Sequence, residues 1–331
     1  MIRYGLLGFG HHCLKRLVPA FPAAKNSTLT GLWRRDLAKA AENARACHIP
    51  HVFATPEELC ASPEIDAVFV TSPDALHLPH VLLALEHGKP VLCEKPLAMR
   101  AGEVEQMFAA AQSANLCLGV AQNFRYNKSA ELIRDWIAQG RIGAPVLAHS
   151  QFCYLADTSP RQWIYDPALA CGGPIGDVAI HCIDALRFVL DARVAAVNTL
   201  ARSDAKSAPL ECNASIGLDF ADSAVGAVTV TTRGAYRSYI EVSGETGVIA
   251  AENGLTVDQP VTVQLWNHGK VAERKTVSNA DGYTRMLDSF SDWAEGRGSF
   301  RATGEDGLHN QQILDAAYAS WHTGQRQTIP A

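Results

Sequence analysis

Three groups of residues combine types and spacings that could do chemistry. The first is Gly88-Lys89-Pro90-Val91-Leu92-Cys93-Glu94-Lys95-Pro96-Leu97. Val91 to Cys93 reads as a short buried strand, with Glu94, Lys95 and Pro96 at its C-terminal end. In an open α/β sheet that edge is where ligands bind. A lysine there can be partly desolvated and so take part in proton transfer. Pro96 restricts the residue before it, which would aim Lys95. Taken alone, the three residues fit a solvated surface turn better, and the rest of the chain is what shifts the reading. The second group is Asp177 and His181, four apart on a predicted helix and therefore on one face. A carboxylate beside an imidazole orients it and favours its charged form. An ordinary helical ion pair has the same spacing.

The third group is Gly8-Phe9-Gly10-His11-His12-Cys13, between a predicted strand and a predicted helix. It nearly matches the dinucleotide fingerprint G-x-G-x-x-G/A. The first glycine allows a tight turn, the second a close backbone approach to pyrophosphate, and the helix N-terminus binds the phosphates. Cys13 stands at the third position. An NAD site usually has an acid at the end of the second strand, whereas an arginine suits the 2′-phosphate of NADP. The chain has Trp33-Arg34-Arg35-Asp36 there. The reading favours NADP(H), with NAD(H) possible.

These groups need a scaffold, and the first 120 residues supply one. Strand and helix alternate: strands at Ile2–Leu7, Leu29–Trp33, Val52-Phe53, Ile65–Thr71, Val91–Cys93 and Cys117–Val120, with helices between them. That alternation predicts a doubly wound parallel sheet. Asp36 and Thr55 are placed as helix N-caps, with Pro56 at a first helical position. Beyond residue 122 come predicted helices at Ala130–Gln139 and Gly176–Leu190 and a strand at Ala148–Tyr154. A long β-type alternation follows from Val194 to Val277. Ser223–Thr232 sets Ala224, Gly226, Val228 and Val230 on one face and Val225, Ala227, Thr229 and Thr231 on the other. The turns Ala221-Asp222, Gly244–Gly247, Asn253-Gly254 and His268-Gly269 predict antiparallel, hairpin-linked strands. The fold class is therefore α/β. The expected domains are residues 1–122, with the parallel sheet, and 123–331, with the mostly antiparallel one. The closing helices, near Tyr283–Glu295 and Gly307–His322, stay there or return to the first domain.

Composition narrows the function classes. The 331 residues carry a net charge of −5 with no basic tract, which argues against nucleic acid and anionic membranes as partners. No apolar run reaches a membrane span, and Met1-Ile2-Arg3-Tyr4 opens straight into a strand, with no secretory signal pattern. Nine scattered cysteines without a Cys-x-x-Cys pair read as reduced thiols in a cytoplasmic protein. No histidine or cysteine spacing points to a metal.

In order and spacing, these motifs resemble the Gfo/Idh/MocA oxidoreductases over nearly the whole chain. The anchors are Gly8-Phe9-Gly10, Arg34-Arg35-Asp36, Thr71-Ser72-Pro73-Asp74-Ala75-Leu76-His77, Gly88 to Leu97, and Gly172-Gly173-Pro174-Ile175-Gly176-Asp177-Val178-Ala179-Ile180-His181. Thr303–Gly307 and Ser320–Gly324 also fit. The resemblance implies a Rossmann domain over 1–122 and, over 123–331, an α+β domain for substrate binding and dimerisation with a large, open, mostly antiparallel sheet. It also implies NAD(P)-linked oxidation or reduction, often of a sugar or polyol, with Lys95, Asp177 and His181 catalytic. It implies cofactor contacts from Gly8, Phe9, Gly10, His11, His12, Arg34, Arg35, Ser72, Pro73, His77, Glu94 and Lys95. Asp74 stands where the family commonly has Asn. Arg161-Gln162-Trp163 and Arg187-Phe188-Val189-Leu190 look most like a bacterial NADPH-linked reductase, in which the positions of Trp163 and Tyr283 face the cofactor. Tyr126, Tyr154 and Arg161 are candidate substrate residues. A homodimer, or a dimer of dimers, is expected through the open sheet. Two other classes share these motifs: an NAD-dependent glycosidase, which would retain its NAD, and a nucleotide-binding sensor, which could lose its proton-transfer groups.

Overall fold

A computed structural model describes residues 1–221 and 224–330. The predicted turn residue Asp222 and strand start Ser223 lie outside the described residues. The chain divides into two units: residues 1–121 with 283–311, and residues 122–282 with 312–331.

The first unit opens with β1 (Ile2–Leu7), β2 (Ser27–Trp33), α1 (Leu37–Ala46), β3 (His51–Val52), α2 (Pro56–Ala61) and β4 (Ala67–Val70). Then come α3 (His77–Glu86), β5 (Val91–Cys93), α4 (Ala101–Ala114) and β6 (Leu118–Val120). The six strands are parallel, in the order β3-β2-β1-β4-β5-β6. The order reverses direction between β1 and β4, which makes that edge the ligand-binding switch point of a doubly wound sheet. β4 is Ala-Val-Phe-Val with all four residues buried, the apolar run of a strand covered on both faces. Local chemistry sets the helix starts. Asp36 Oδ1 accepts the Lys39 N–H at 3.0 Å, and Thr55 Oγ1 accepts the Glu58 N–H at 3.1 Å ahead of Pro56. One expectation fails locally. In place of the regular helix expected to start over Cys13–Ala20, after the Gly8–Cys13 motif, a five-residue π-helical turn spans Cys13–Leu17 and is followed by turns.

The second unit contains α5 (Lys128–Ala138), β7 (Pro145–Leu155), a π-helical turn at Ile175–Ala179 running into α6 (Ile180–Leu190), and β8 (Val194–Arg202). It continues with β9 (Asn213–Phe220), β10 (Val225–Thr231), β11 (Arg233–Gly244), β12 (Gly247–Glu252), β13 (Val261–Asn267) and β14 (Lys270–Val277). α7 (Gly282–Ala294) and α8 (Gly304–Thr323) follow, and β15 (Gln327–Thr328) closes the chain. The nine strands run β14-β13-β12-β11-β7-β10-β9-β8-β15. All pairs are antiparallel except β10 with β7. That exception arises because β7 comes from before α6 and inserts between β10 and β11, a hairpin rule being blind to such an insertion. The β10 alternation reads as expected: Ala224, Gly226, Val228 and Val230 are buried, and Val225 is 59% exposed. The inner face packs on α5 and α6 around Ile133, Trp136, Ile183, Leu186, Ile216, Val242 and Val263.

Residues 283–311 belong to the first unit, so α7 and the start of α8 are part of it. α7 is anchored by polar contacts at a buried point: Ser291 Oγ lies 2.8 Å from both the Tyr4 hydroxyl and Ser27 Oγ. Phe290 packs its ring against Tyr4 and Phe300.

Candidate active site

In the first unit the candidate residues gather at the carboxyl ends of β1, β4 and β5. Gly8 has φ +98°, and a β-carbon there would lie 2.5 Å from Ser72 Cα, so only glycine fits where these two loops cross. Phe9 is buried, and the Gly8 and Phe9 N–H groups both donate to Trp33 O at 3.1 Å. Gly10 differs: a β-carbon built on it meets no atom within 4 Å. A turn fixed at Gly8 and open at Gly10, leading into a helical turn, fits the pyrophosphate of a dinucleotide. Thr71 Oγ1 donates to Gly8 O at 3.0 Å and steadies the turn from β4, and Cys13 Sγ lies 3.3 Å from Thr71 Oγ1. Burial pushes the Cys13 thiol up to about 11, so it is a packing group here.

Two histidines tie the loops together. Buried His77 has Nδ1 2.9 Å from Pro96 O and Nε2 2.9 Å from Ser72 O, linking the β4 loop to the Lys95-Pro96 segment. His12 Nε2 lies 2.9 Å from Glu94 Oε1, linking the β1 turn to the same segment. Burial opposes charge on Glu94, but His12 and then Lys95 outweigh it and hold its pKa below the ordinary value. Lys95 is half-buried between these clamps, and its peptide bond to Pro96 is cis. Tyr283 sits edge-on to His12 at 5.9 Å between ring centroids. Arg34 donates to Asn43 Oδ1 at 2.8 Å, while His11 and Arg35 are exposed. Pro73 opens the short turn before α3. His80, three residues beyond His77 at a helix start and read from the sequence as a satisfied histidine rather than a metal ligand, has its Nδ1 3.0 Å from Ser72 Oγ. Burial, with neighbouring His77, pushes His80 down to about 4.

In the second unit the helix bearing Asp177 and His181 is otherwise closed off. From Pro174 to Val189 every residue is buried except these two. The helix begins with a π-helical turn, a feature frequent at functional sites. Arg161 forks onto Asp177, with NH1 to Oδ1 and NH2 to Oδ2 both at 3.0 Å. The Tyr154 hydroxyl donates to Asp177 Oδ2, and burial, reinforced by the Asp177 charge, raises its pKa. The sequence reading took Tyr154 and Arg161 as substrate residues, and both hold Asp177. His181 packs against the Phe124 ring at 4.5 Å between centroids. Phe124 was not foreseen, and nothing local in the sequence marks it. Tyr126 is 2% exposed, and Trp163 is half-buried on a short helical turn. Among the described residues, no group of three His, Cys, Asp or Glu side chains could hold a metal ion.

The comparisons with known proteins follow this geometry. A family profile described as an oxidoreductase family with an NAD-binding Rossmann fold matches residues 2–122. The GFO/IDH/MocA C-terminal domain profile matches residues 131–250. The chain is 31% identical to 1,5-anhydro-D-fructose reductase of Ensifer adhaerens, over 99% of each protein. The chain belongs to the Gfo/Idh/MocA family. It is an NAD(P)-binding oxidoreductase. It is also 28% identical to a D-xylose 1-dehydrogenase (NADP(+)) 2 of Haloferax volcanii, over 97% of this chain and 98% of that protein. In fold it is similar to the crystal structure of an aldose-aldose oxidoreductase from Caulobacter crescentus complexed with glycerol. The TM-score is 0.92 at 23% identity, covering 99% of both chains.

Proposed function

We propose that the protein is an NADP(H)-linked oxidoreductase of a sugar, polyol or related carbonyl compound, with Lys95, Asp177 and His181 as its acid–base groups. The observation that carries this reading is the selective exposure of Asp177 and His181 on an otherwise buried helix. Burying a helix on nearly every side while leaving one carboxylate and one imidazole partly exposed makes sense for a working pair. Residues Gly8 to His12 would hold the cofactor's pyrophosphate, and Arg34 and Arg35 its 2′-phosphate. Asp36 is already engaged as the cap of α1, which supports the arginines as the charges that choose the cofactor. A bound nicotinamide supplies or accepts the hydride.

The chain's own groups handle the proton. Lys95 and His181 donate it to a carbonyl oxygen in reduction or take it from a hydroxyl in oxidation. Asp177 orients His181, and Arg161 and Tyr154 hold Asp177. Sugars are favoured because the two relatives named above act, by name, on an anhydro-fructose and on xylose. The test is a panel of carbonyl compounds and polyols followed by NADPH and NADH absorbance, then repeated with variants. Lys95→Ala and His181→Ala should each lower kcat by about 10²–10⁴-fold. Near wild-type kcat in both would overturn the reading.

We also propose a homodimer through the outer face of the nine-stranded sheet. That face carries a groove of about 740 Å³ lined by Tyr239, Val248, Ala250 and Trp266 among others, and exposes Leu147 and Val225. Apolar surface of this kind is rarely left bare. The nine free cysteines support a cytoplasmic location.

A further inference from the structure

The turn that starts the Asp177–His181 helix rests on a buried carboxyl that the function proposed above does not use. Glu211, just before β9, is 1% exposed. Its Oε1 accepts the Ile175 N–H at 2.8 Å and the Tyr318 O–H at 3.1 Å. Ile175 is the first residue of the π-helical turn, and Tyr318 lies on α8. Glu211 Oε2 has no hydrogen-bond partner among the described residues. Glu211 lines a cavity of about 20 Å³ whose wall also includes Asp177, Tyr154 and Thr232. The chain closes tightly over the carboxyl. A β-carbon on Gly172 would lie 1.6 Å from the Tyr318 hydroxyl, and one on Gly173 would lie 1.9 Å from Glu211 O. The Gly172-Gly173 motif is therefore the imprint of Glu211 and Tyr318 on the turn above them. Burial raises the Glu211 pKa, against the pull of the Ile175 N–H and its other hydrogen bonds.

We propose that Glu211 is a positioning residue for the Asp177–His181 pair, holding Ile175 and Tyr318 so that the helix starts where Asp177 meets Arg161 and Tyr154. Asp177 is two residues beyond Ile175, so a shift of the turn moves the carboxylate out of the Arg161 fork. The inference rests on reading Asp177 and His181 as acid–base groups.

Glu211→Ala, Glu211→Gln and Tyr318→Phe test it. Glu211→Ala should lower kcat by about 10²-fold, the size expected for a small misplacement of a catalytic group, while the KM for cofactor stays near wild type. Hydrogen exchange in residues 172–181 should speed up, because the Ile175 amide loses its acceptor. Glu211→Gln keeps the Oε1 acceptor and should restore most of the kcat and the exchange protection. Tyr318→Phe keeps the Ile175 bond and should fall between. Unchanged kcat in Glu211→Ala, or an equal loss in Glu211→Gln, would overturn the proposal. Should Glu211→Ala not fold, Tyr318→Phe decides: a reduced kcat supports the role and a wild-type kcat rejects it. His181→Ala separates the two levels. If it lowers kcat while Glu211→Ala leaves kcat at the wild-type value, only the positioning role fails; if it leaves kcat intact, the acid–base reading itself fails.

Discussion

Gly8 and Gly10 lie in one turn and should fail in different ways. Gly8 has φ +98°, and its β-carbon would sit 2.5 Å from Ser72 Cα and 2.6 Å from Ser72 N. Backbone atoms cannot swing aside as a side chain can. Gly8→Ala adds a strained conformation, about 1–3 kcal/mol, and an overpacking displacement of the β4 loop of similar size, so about 2–6 kcal/mol together. At about 2–4 °C per kcal/mol for a large domain, the melting temperature should fall by several degrees at least. Gly10 has no positive φ and its β-carbon meets nothing within 4 Å. Gly10→Ala should therefore leave stability within about 1 kcal/mol. Its methyl would instead occupy the space proposed for pyrophosphate. Losing one charge-assisted hydrogen bond there costs about 1.5–3 kcal/mol, or roughly 10–150-fold in affinity. Thermal melts without cofactor and fluorescence titrations with NADPH measure the two effects separately. The reasoning is refuted if Gly10→Ala melts as early as Gly8→Ala, or if it binds NADPH as tightly as wild type.

Replacing Arg34 and Arg35 together by alanine should weaken NADPH binding by about 10-fold or more and leave NADH binding nearly unchanged, as titration with both cofactors would show. Equal losses for the two would rule out 2′-phosphate recognition. His80 is pushed down from 6.5 to about 4, so between those values the unfolded chain binds a proton that the folded chain does not. Stability is then full above about pH 6.5 and falls as the pH drops toward 4, by up to about 3 kcal/mol. His80→Gln should flatten that part of the urea-unfolding profile, and an unchanged profile would count against it. Light scattering at micromolar concentration should give twice the 35.7 kDa chain mass, and a monomer mass would remove the proposed sheet-to-sheet dimer.

The first unit was legible because its signals are local. The caps Asp36 and Thr55, the apolar run of β4 and the Gly8-x-Gly10 turn each act within a few residues, and each stands where the periodicity put it. The π-helical turn at Cys13–Leu17 was not legible, since a widened turn leaves much the same apolar pattern as an α-turn. In the second unit the alternation of β10 gave both faces correctly, but strand order did not follow from it. β7 enters the sheet beside strands more than 70 residues later, and no hairpin signal encodes that.

The same distinction between local and distant contacts governs the candidate site. Helical spacing set Asp177 and His181 on one face from sequence alone. It could not show that Arg161 and Tyr154 hold Asp177, or that Phe124 packs against His181, because those partners arrive from other elements. This changes what Asp177 can do. A carboxylate that only oriented His181 could become an asparagine at small cost. The fork from Arg161 leaves a different position, because the guanidinium would lose its counter-charge and one of its two acceptors in a half-buried place. Removing one partner of such a pair leaves the other charge uncompensated, which costs more than the pair itself contributes. Asp177 thus neutralises Arg161, and in the function proposed above it also orients the imidazole; the Gly172-Gly173 turn held by Glu211 is proposed to set the place where both tasks are met.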